Sequence, residues 1–345
     1  MNKFSNMADF AAHFGLSRST VSYILNNKWK ERHISEKTAR KVLDYAAEMG
    51  YTPNFLGLAI NGKVSIDVAL LLPRETYEHH RQAFFDLLGS IEKQQLRYMV
   101  FQLGDDILNQ AVIERLRNFK VRRTVIFASP LLLAEKDFVW WRKTTAAVPD
   151  TEFCFYDYRY DQPTARDPWS ENVFTTGFDN HTGQRAVVNY IAHAGFRKLC
   201  VSGWGNVCFA RDLLDRFRID TCVIRGNGSG DLFSYGESMG VELLKLRGSS
   251  NEPVAVFIND DIATASAMDL LIDHGVDVPG EFAFISWDGL KISRHFRKSL
   301  TTLEVPHWQM LNFVNDFILG RTRHRSLEVT PEVRSGKSMP AKLPD

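Results

Sequence analysis

The sequence has few cysteines and no long hydrophobic run. Its 345 residues include four cysteines, none of them in a CxxC pair, which argues against a zinc-ribbon or thioredoxin-type site. No apolar run approaches the roughly 20 residues that cross a bilayer. The first residues, MNKFSNMADFAAHFG, lack the basic-then-apolar layout of a secretory signal. We therefore expect a chain that stays in the cytoplasm.

The cysteines lie in apolar surroundings, which is typical of buried thiols. In a cytoplasmic protein such residues are expected to be reduced. We therefore predict reduced core thiols at Cys154, Cys200, Cys208 and Cys222.

The chain also lacks a strong net charge, which is +1 at pH 7. That value argues against a nonspecific, chromatin-like DNA binder, but the distribution of charge is uneven. Residues 1–63 carry nine lysines and arginines against five acidic residues, a charge of +4 that leaves −3 for the remainder. A basic head on a slightly acidic body favours a nucleic-acid partner.

The first 50 residues contain three short helical patterns. Apolar residues from Met7 to Phe14 fall on one face, and Gly15 provides a turn. Ser17 is an N-cap for a second helix over residues 18–26, and Ser35 begins a third that ends before Gly50. The spacing of ADFAAHFGLSRSTVSYILN is that of a helix-turn-helix.

The polar face of the second helix carries hydrogen-bonding side chains suited to base edges and phosphates. The candidate DNA-binding residues here are Ser17, Arg18, Ser19, Thr20, Ser22, Tyr23 and Asn26. The alternative for this face is the solvent-exposed side of a small helical bundle.

From Val64 onward, buried strand patterns alternate with amphipathic helices. Apolar runs such as residues 68–72, 124–128 and 254–258 are typical of buried parallel strands. Two such series predict an α/β domain of two doubly wound lobes with a cleft between them. The expected fold is therefore a small all-α helix-turn-helix head followed by this two-lobed domain.

Several long stretches resemble the lactose-repressor (LacI/GalR) family. They are ISEKTARKVLDYAAEMGYTPNFLGLAINGK, FTTGFDNHTGQRAVVNYIAHAGFRKLCVSG and VAVFINDDIATASAMDLLIDHGVDVPGEFAFISWDGLKISRHFRKSLTTL. The resemblance covers essentially the whole chain and implies a periplasmic-binding-protein-like sensor domain. It also implies a transcription regulator, expected to be a repressor and not an enzyme.

The resemblance divides the chain into three segments. It implies a DNA-binding domain over residues 1–53, a hinge helix over 54–63 and an effector-binding and dimerisation domain over 64–345. The second lobe is expected to begin near residue 175, and the chain to re-enter the first lobe near residue 304.

Within the recognition helix, Arg18 and Ser19 would read bases, while Ser17, Thr20, Ser22 and Asn26 would bind phosphates. Tyr23 stands where many members carry Arg, so a guanine contact common in the family cannot be assumed.

Two further segments of the head bear on DNA binding. Lys28 and Lys30 lie in a loop longer than is usual in the family and could add backbone contacts. The alternative is a solvated loop with Trp29 packed against the head. In the hinge, Ile60 matches the family's minor-groove Leu, and an apolar wedge can unstack a base step and bend the duplex.

In open α/β sheets, ligands bind outside the carboxyl ends of the strands. Asp157, Asn259 and Asp288 stand at or just after such ends, with Trp287 beside Asp288, and by resemblance these are pocket residues. Together with the run YDYRY over residues 156–160, they suit a carbohydrate or polyol effector. A helix cap or a solvated loop is the alternative for each Asp.

For Asp179, Asp260 and Asp261, caps at helix starts are the favoured interpretation.

One departure from the family leaves the effector open. Members usually place an Arg where this chain has Leu213, although Arg211 could reach the cleft from the adjacent turn. A regulator with a vestigial sensor, responding to a protein partner or to no ligand, is therefore the second hypothesis.

We find no nucleophile–base signature and expect no cofactor. His79, His80 and His193 show no metal-ligand spacing in the sequence, so we predict no metal site.

The mechanism expected from these features is that of a ligand-controlled homodimer. One recognition helix reads one half-site, so two-fold symmetry predicts a near-palindromic operator. A ligand that closes the cleft would change operator affinity by population shift.

Overall fold

The computed structural model describes residues 7–25, 29–49, 65–73, 78–103, 110–127, 135–161, 165–202, 210–227, 231–248, 252–340 and 342. The chain divides into two compact units. The first contains residues 1–66 and 111–122, and the second contains residues 67–110 and 123–345.

Three helices near the N-terminus form a small core of their own. They are α1 (Met7–His13), α2 (Arg18–Leu25) and α3 (Glu36–Glu48). Their buried apolar residues are Phe10, Ala11, Val21, Ile24, Ala39, Val42 and Ala46. Gly15 has a φ of +63° in the turn between α1 and α2, a conformation that glycine adopts without strain. The three predicted helices and their turn are confirmed.

The remaining elements alternate between strand and helix. In chain order they are β1 (Val68–Pro73), α4 (Glu78–Lys93), β2 (Tyr98–Leu103), α5 (Gln110–Asn118), β3 (Arg123–Phe127), α6 (Glu135–Ala146), β4 (Glu152–Arg159), β5 (Val173–Phe178), α7 (Asn180–His193), β6 (Lys198–Ser202), α8 (Arg211–Phe217), β7 (Asp220–Ile224), α9 (Leu232–Leu246), β8 (Val254–Ile258), α10 (Asp261–Asp273), β9 (Phe282–Asp288), β10 (Thr301–Glu304), α11 (His307–Ile318), β11 (Ser326–Val329) and β12 (Glu332–Arg334). A 3₁₀ turn over Lys291–Arg294 follows β9.

Within the described residues, the strands form two six-stranded sheets. Their orders are β11-β5-β4-β3-β1-β2 and β12-β10-β9-β8-β6-β7. All paired strands are parallel except β10 and β12. The strands in the middle of each sheet are buried on both faces, which is why their sequences are continuous apolar runs. The two predicted α/β lobes are therefore present, one for each sheet.

The chain crosses between the two sheets three times. The crossings follow β5 at Phe178, β10 at Glu304 and β11 at Val329. The last crossing returns β12 to the second sheet, where it pairs antiparallel with β10.

For two cysteines the expectation of reduced core thiols is wrong. Cys200 on β6 and Cys222 on β7 are joined by a disulfide. The two residues are partners in the register of adjacent strands, with a Cα–Cα distance of 4.8 Å, and Cys222 is exposed. The cross-strand pairing was not visible in the sequence, which gave only a separation of 22 residues. Cys154 is a buried free thiol, as expected, and Cys208 lies outside the described residues.

The described helices include none that is both long and apolar enough to span a membrane.

Candidate functional site

The candidate DNA-reading surface is the exposed side of α2. The Ser17 Oγ accepts a hydrogen bond from the Thr20 amide at 3.0 Å, which caps the helix as predicted. Arg18 and Ser19 follow in the first turn and are both exposed, while Val21 and Ile24 on the opposite side are buried. The helix therefore presents its first turn outward and is anchored by its apolar face.

The remaining predicted contacts of the head differ in exposure. Thr20, Ser22 and Tyr23 are half-buried, and the Arg32 guanidinium lies 4.7 Å from the centre of the Tyr23 ring. This cation–π contact places a positive charge beside the position where many family members carry Arg.

For the loop after α2, the two interpretations were extra contacts with the DNA backbone and a solvated loop with Trp29 packed against the head, and the structure shows features of both. Trp29 is half-buried and packs against the head core. Lys30 is exposed, with its Nζ 5.3 Å from the centre of the Trp29 ring. Asn26, Lys28, Ile60 and the hinge over 54–63 lie outside the described residues, so their roles remain predictions.

The first predicted effector residue, Asp157, sits at a β-bulge. The register of β4 with β5 shifts between Tyr156 and Tyr158, and Asp157 has a φ of +63°. The bulge needs a glycine on the partner strand, since a Cβ at Gly177 would lie 1.8 Å from the Tyr158 carbonyl oxygen. Bulges re-aim side chains near functional sites, and here the Asp157 side chain is fully buried.

The second predicted carboxylate, Asp288, ends β9. It also has a positive φ, +106°, and is 8% exposed. Its neighbour Trp287 is buried in the core and packs near Phe178 and Phe257, with ring centres 6.1 Å away in both cases. Asn259 is half-buried and its Oδ1 accepts a hydrogen bond from Ser202 at 3.2 Å. Asp288 and Asn259 thus lie at the carboxyl ends of β9 and β8, and their role as pocket residues stays a prediction.

The structure keeps Arg211 and Leu213 in different environments. Arg211 is the exposed first residue of α8. Leu213, at the position where the family usually has Arg, is 4% exposed and packs in the apolar core. The position that holds an Arg in many family members is therefore occupied here by a buried Leu that contacts the core.

Sequence reasoning missed two histidines that contact Asp157. The His79 and His80 Nε2 atoms lie 3.2 Å and 2.9 Å from the same Asp157 oxygen, Oδ2. The His79 Nδ1 lies 3.6 Å from an Asp288 oxygen, so one imidazole bridges the two predicted effector residues. One signal could have found them, because His80 occupies a core-facing position on α4, four residues before Phe84 and seven before Leu87.

The carboxylates decide which histidine holds a proton. Burial alone would lower the pKa of His79, but the charges of Asp288 and Asp157 outweigh it and raise that pKa to about 9. Burial and the charge of His79 lower the pKa of His80 to about 4. Burial opposes ionisation of Asp157, yet Arg159 and the two histidines hold its pKa well below the usual value.

The outer part of this cluster contains Arg159 and His307. The Arg159 Nη2 is 3.4 Å from Asp157 Oδ2, and its Nη1 donates to Asn180 Oδ1 at 2.8 Å. The His307 ring stacks on His79 with ring centres 4.7 Å apart. Its Nδ1 lies 3.0 Å from the Tyr156 hydroxyl oxygen.

The helix-cap interpretation of three acidic residues is confirmed for two of them. Asp179 accepts from the Thr182 amide and Asp260 from the Ala263 amide. Asp261 differs: its buried carboxylate accepts hydrogen bonds from Ser286, Thr302 and the Leu290 amide, and so joins α10 to the strands beside Asp288. Burial, followed by the charge of Asp288, raises the pKa of both Asp260 and Asp261 to about 7.

A cavity of about 150 Å³ adjoins the His79–Asp288 bridge. Its lining includes His79, Asp288, Glu304 and His307. Pockets for drug-sized ligands usually measure about 300–1,000 Å³. In this conformation the cavity is therefore suited to an ion or a molecule of a few atoms.

Comparison with known proteins matches two parts of the chain to family models. Residues 6–54 match "Bacterial regulatory proteins, lacI family", and residues 223–330 match "Periplasmic binding protein-like domain". The chain is similar to the transcriptional repressor PurR of Haemophilus influenzae, at 22% identity over 97% of this chain and 98% of that protein. It is also similar to the probable transcriptional repressor ExuR of Bacillus subtilis, at 22% identity over 95% and 93%.

Its fold is similar to that of the lac repressor dimer bound to operator and the anti-inducer ONPF. That likeness has a TM-score of 0.74 and 18% identity, and covers 97% of this chain and 99% of that one. The head, the two parallel-sheet lobes and the two family matches agree with one another. Together, these matches and likenesses support a transcriptional regulator of the LacI family.

Proposed function

We propose that the protein is a sequence-specific DNA-binding repressor that reads its operator with α2. The observation that carries the proposal is the Ser17-capped helix, whose exposed first turn presents Arg18 and Ser19 while Val21 and Ile24 anchor it. A recognition helix held in this way can enter a major groove with its N-terminal residues against base edges. Because the proposed partner is DNA, we infer that the protein works in the cytoplasm and has no enzymatic role.

We further propose that the protein acts as a homodimer on a near-palindromic operator. One copy of α2 covers one half-site, and two-fold symmetry of a dimer matches two half-sites. The likeness in fold to a lac repressor dimer bound to operator supports this proposal.

The ligand proposed for the cleft is a sugar or a sugar derivative. Carboxylates and an amide at the strand ends, from Asp157, Asp288 and Asn259, suit the hydroxyl groups of a polyol. Proteins with similar folds are described with such molecules, for example the regulator CelR in complex with cellobiose. A ligand that favours one arrangement of the lobes would change operator affinity through that difference.

A specific observation favours the second hypothesis, a sensor that has lost its original ligand. Asp157 is fully buried, and its Oδ2 already contacts two histidines and Arg159. Leu213 replaces the expected Arg with a core contact. A sugar would have to displace His79 and His80 before it could bind Asp157.

Two measurements on the full chain test these proposals. Selection of binding sites from random DNA should recover a near-palindrome, and a failure to enrich any sequence would overturn the DNA-reading proposal. Thermal-shift screening against sugars should raise the melting temperature if the cleft binds one, since a ligand specific to the folded state stabilises it by mass action.

For any sugar found in this way, Asp288→Ala should abolish the change in operator affinity while leaving operator binding itself intact. A variant that still responds at wild-type sugar concentrations would remove Asp288 from the pocket. If no sugar shifts the melting temperature, the second hypothesis is supported.

A further inference from the structure

Three buried side chains converge on one point at the end of β4. They are His79 and His80 in the first turn of α4, and Asp157 at the bulge in β4. Each offers one ligand atom, and these atoms all lie within 4.8 Å of one another. His79 is 5% exposed, and His80 and Asp157 are fully buried.

The convergence of two consecutive helical residues is unusual, because successive side chains on an α-helix point about 100° apart. Here both Nε2 atoms nevertheless face the same Asp157 oxygen, and the two rings meet edge to face with centres 4.4 Å apart. Two imidazoles and a carboxylate form a donor set that first-row transition metals such as zinc, iron and nickel accept. A metal at this point would need ligand distances of about 2.0–2.2 Å, which small side-chain movements can supply.

The second oxygen of Asp157 points to the same conclusion. Oδ1 is buried and makes no hydrogen bond within the described part of the chain. His79, His80 and Arg159 therefore all contact Oδ2, whereas Oδ1 has no hydrogen-bond partner among the described residues. A buried oxygen without a partner is uncommon, and a cation bound by the carboxylate would provide one for Oδ1.

The groups around the triad match those that usually surround a metal. A ligating histidine commonly donates its other ring N–H to a carboxylate. The His79 Nδ1 is 3.6 Å from Asp288 Oδ1. Ligating carboxylates are themselves hydrogen-bonded, and Arg159, held by Asn180 and by the ring of Phe178 3.9 Å away, reaches Asp157. A cavity of about 150 Å³, lined by His79 and Asp288, has room for water beside this site.

We propose that His79, His80 and Asp157 bind one divalent first-row transition metal ion of the zinc class, with Asp288 orienting His79. The metal would tie the first lobe, which supplies the three ligands, to the second lobe, which supplies Asp288. Through that link the ion could change operator affinity. This consequence rests on the proposed DNA-binding function, whereas binding of the ion is independent of that function.

The binding test uses the metal-free full chain, prepared with a chelator, and Co²⁺ as a visible probe for Zn²⁺. One equivalent of Co²⁺ should produce the absorption of a protein-bound ion, and Zn²⁺ should displace it. His80→Gln and Asp157→Asn should lower Co²⁺ affinity by more than 100-fold. Asp288→Asn, which removes only the orienting partner, should lower it by about 10–100-fold.

The matched control is His193→Gln, since His193 is an exposed histidine outside the cluster, and it should bind Co²⁺ like the wild type. Equal affinity in the His80→Gln and His193→Gln proteins would overturn the proposal. Because buried variants can fail to fold, X-ray absorption at the zinc edge of the wild-type protein provides an independent test. It should show nitrogen and oxygen ligands with imidazole scattering, and a sulfur shell or no bound zinc would overturn the proposal.

Operator binding with and without Zn²⁺ separates this inference from the proposed function. Bound zinc that leaves operator affinity unchanged would overturn the regulatory consequence and keep the site. Failure to bind any operator, with the Co²⁺ results as expected, would overturn the proposed function and not the metal site.

Discussion

Replacement of Ile24 by Ala should unfold the DNA-reading head and leave the second unit intact. Ile24 is fully buried on α2. The substitution removes three carbon atoms, each worth about 0.8 kcal/mol when buried. With the cavity term, the total cost is about 2–5 kcal/mol. The three helices occupy residues 7–49, and a core of that size rarely supplies more than about 3–5 kcal/mol.

The expected loss is therefore comparable with the whole stability of the head. Every factor of ten in the folding equilibrium corresponds to about 1.4 kcal/mol, so the folding constant should fall by about 30-fold to several thousand-fold. Operator affinity should fall in proportion to the folded fraction, because an unfolded head cannot present Arg18 and Ser19.

Two assays and one control check this prediction. Hydrogen exchange read by mass spectrometry should show lost protection across residues 7–49, and fluorescence anisotropy should report weaker operator binding. The control is Leu271→Ala, an equally buried large-to-small change on α10 of the second unit, which should leave protection of the head and operator affinity unchanged. Wild-type protection and wild-type operator affinity in the Ile24→Ala protein would refute the reasoning.

Two other predictions address specificity and pH. Arg18→Ala should cost about 1–3 kcal/mol of operator affinity and relax specificity at one base pair. Lys30→Ala should instead weaken binding to all sequences and reduce the salt dependence of binding. An equal loss of affinity for operator and random DNA in the Arg18→Ala protein would make Arg18 a phosphate contact. Burial and Asp288 raise the pKa of Asp260 to about 7, so the folded chain holds a proton that the unfolded chain releases above about pH 4. The stability linked to that proton is fully present below about pH 4 and is lost as pH rises to about 7, by an amount on the order of a few kcal/mol. Asp260→Asn should keep the helix cap and reduce this fall in urea unfolding measured across that range, leaving the part linked to Asp261, whose pKa is also about 7. A curve parallel to the wild type would contradict the pKa shift of Asp260.

The local features of the fold could be predicted because neighbouring residues determine them. Ser17 and the amide three residues later form a cap that needs no tertiary contact. The strand patterns were equally accessible: β8 has the expected bounds, Val254–Ile258, and β1 and β3 match the expected bounds to within one residue. A tertiary contact sets the length of β4, which continues to Arg159 because pairing with β5 resumes after the bulge at Asp157.

Long-range contacts could not be predicted in the same way. The disulfide between Cys200 and Cys222 depends on the register of β6 with β7, which the order of residues along one strand does not specify. The burial of Leu213 likewise depends on what packs against α8, although the sequence did show that an Arg was missing there.

The sequence by itself determined the kind of protein, because a helix-turn-helix spacing, strand periodicity and strand-end carboxylates are all local patterns. Only the tertiary structure decided what those carboxylates contact. Asp157 meets His79 and His80 across 78 and 77 residues of sequence, since a bulge in β4 turns its side chain toward the first turn of α4. Burial there couples the charges strongly, as water no longer screens them. The chemistry of the cleft therefore depends on a register shift that residue types alone do not encode.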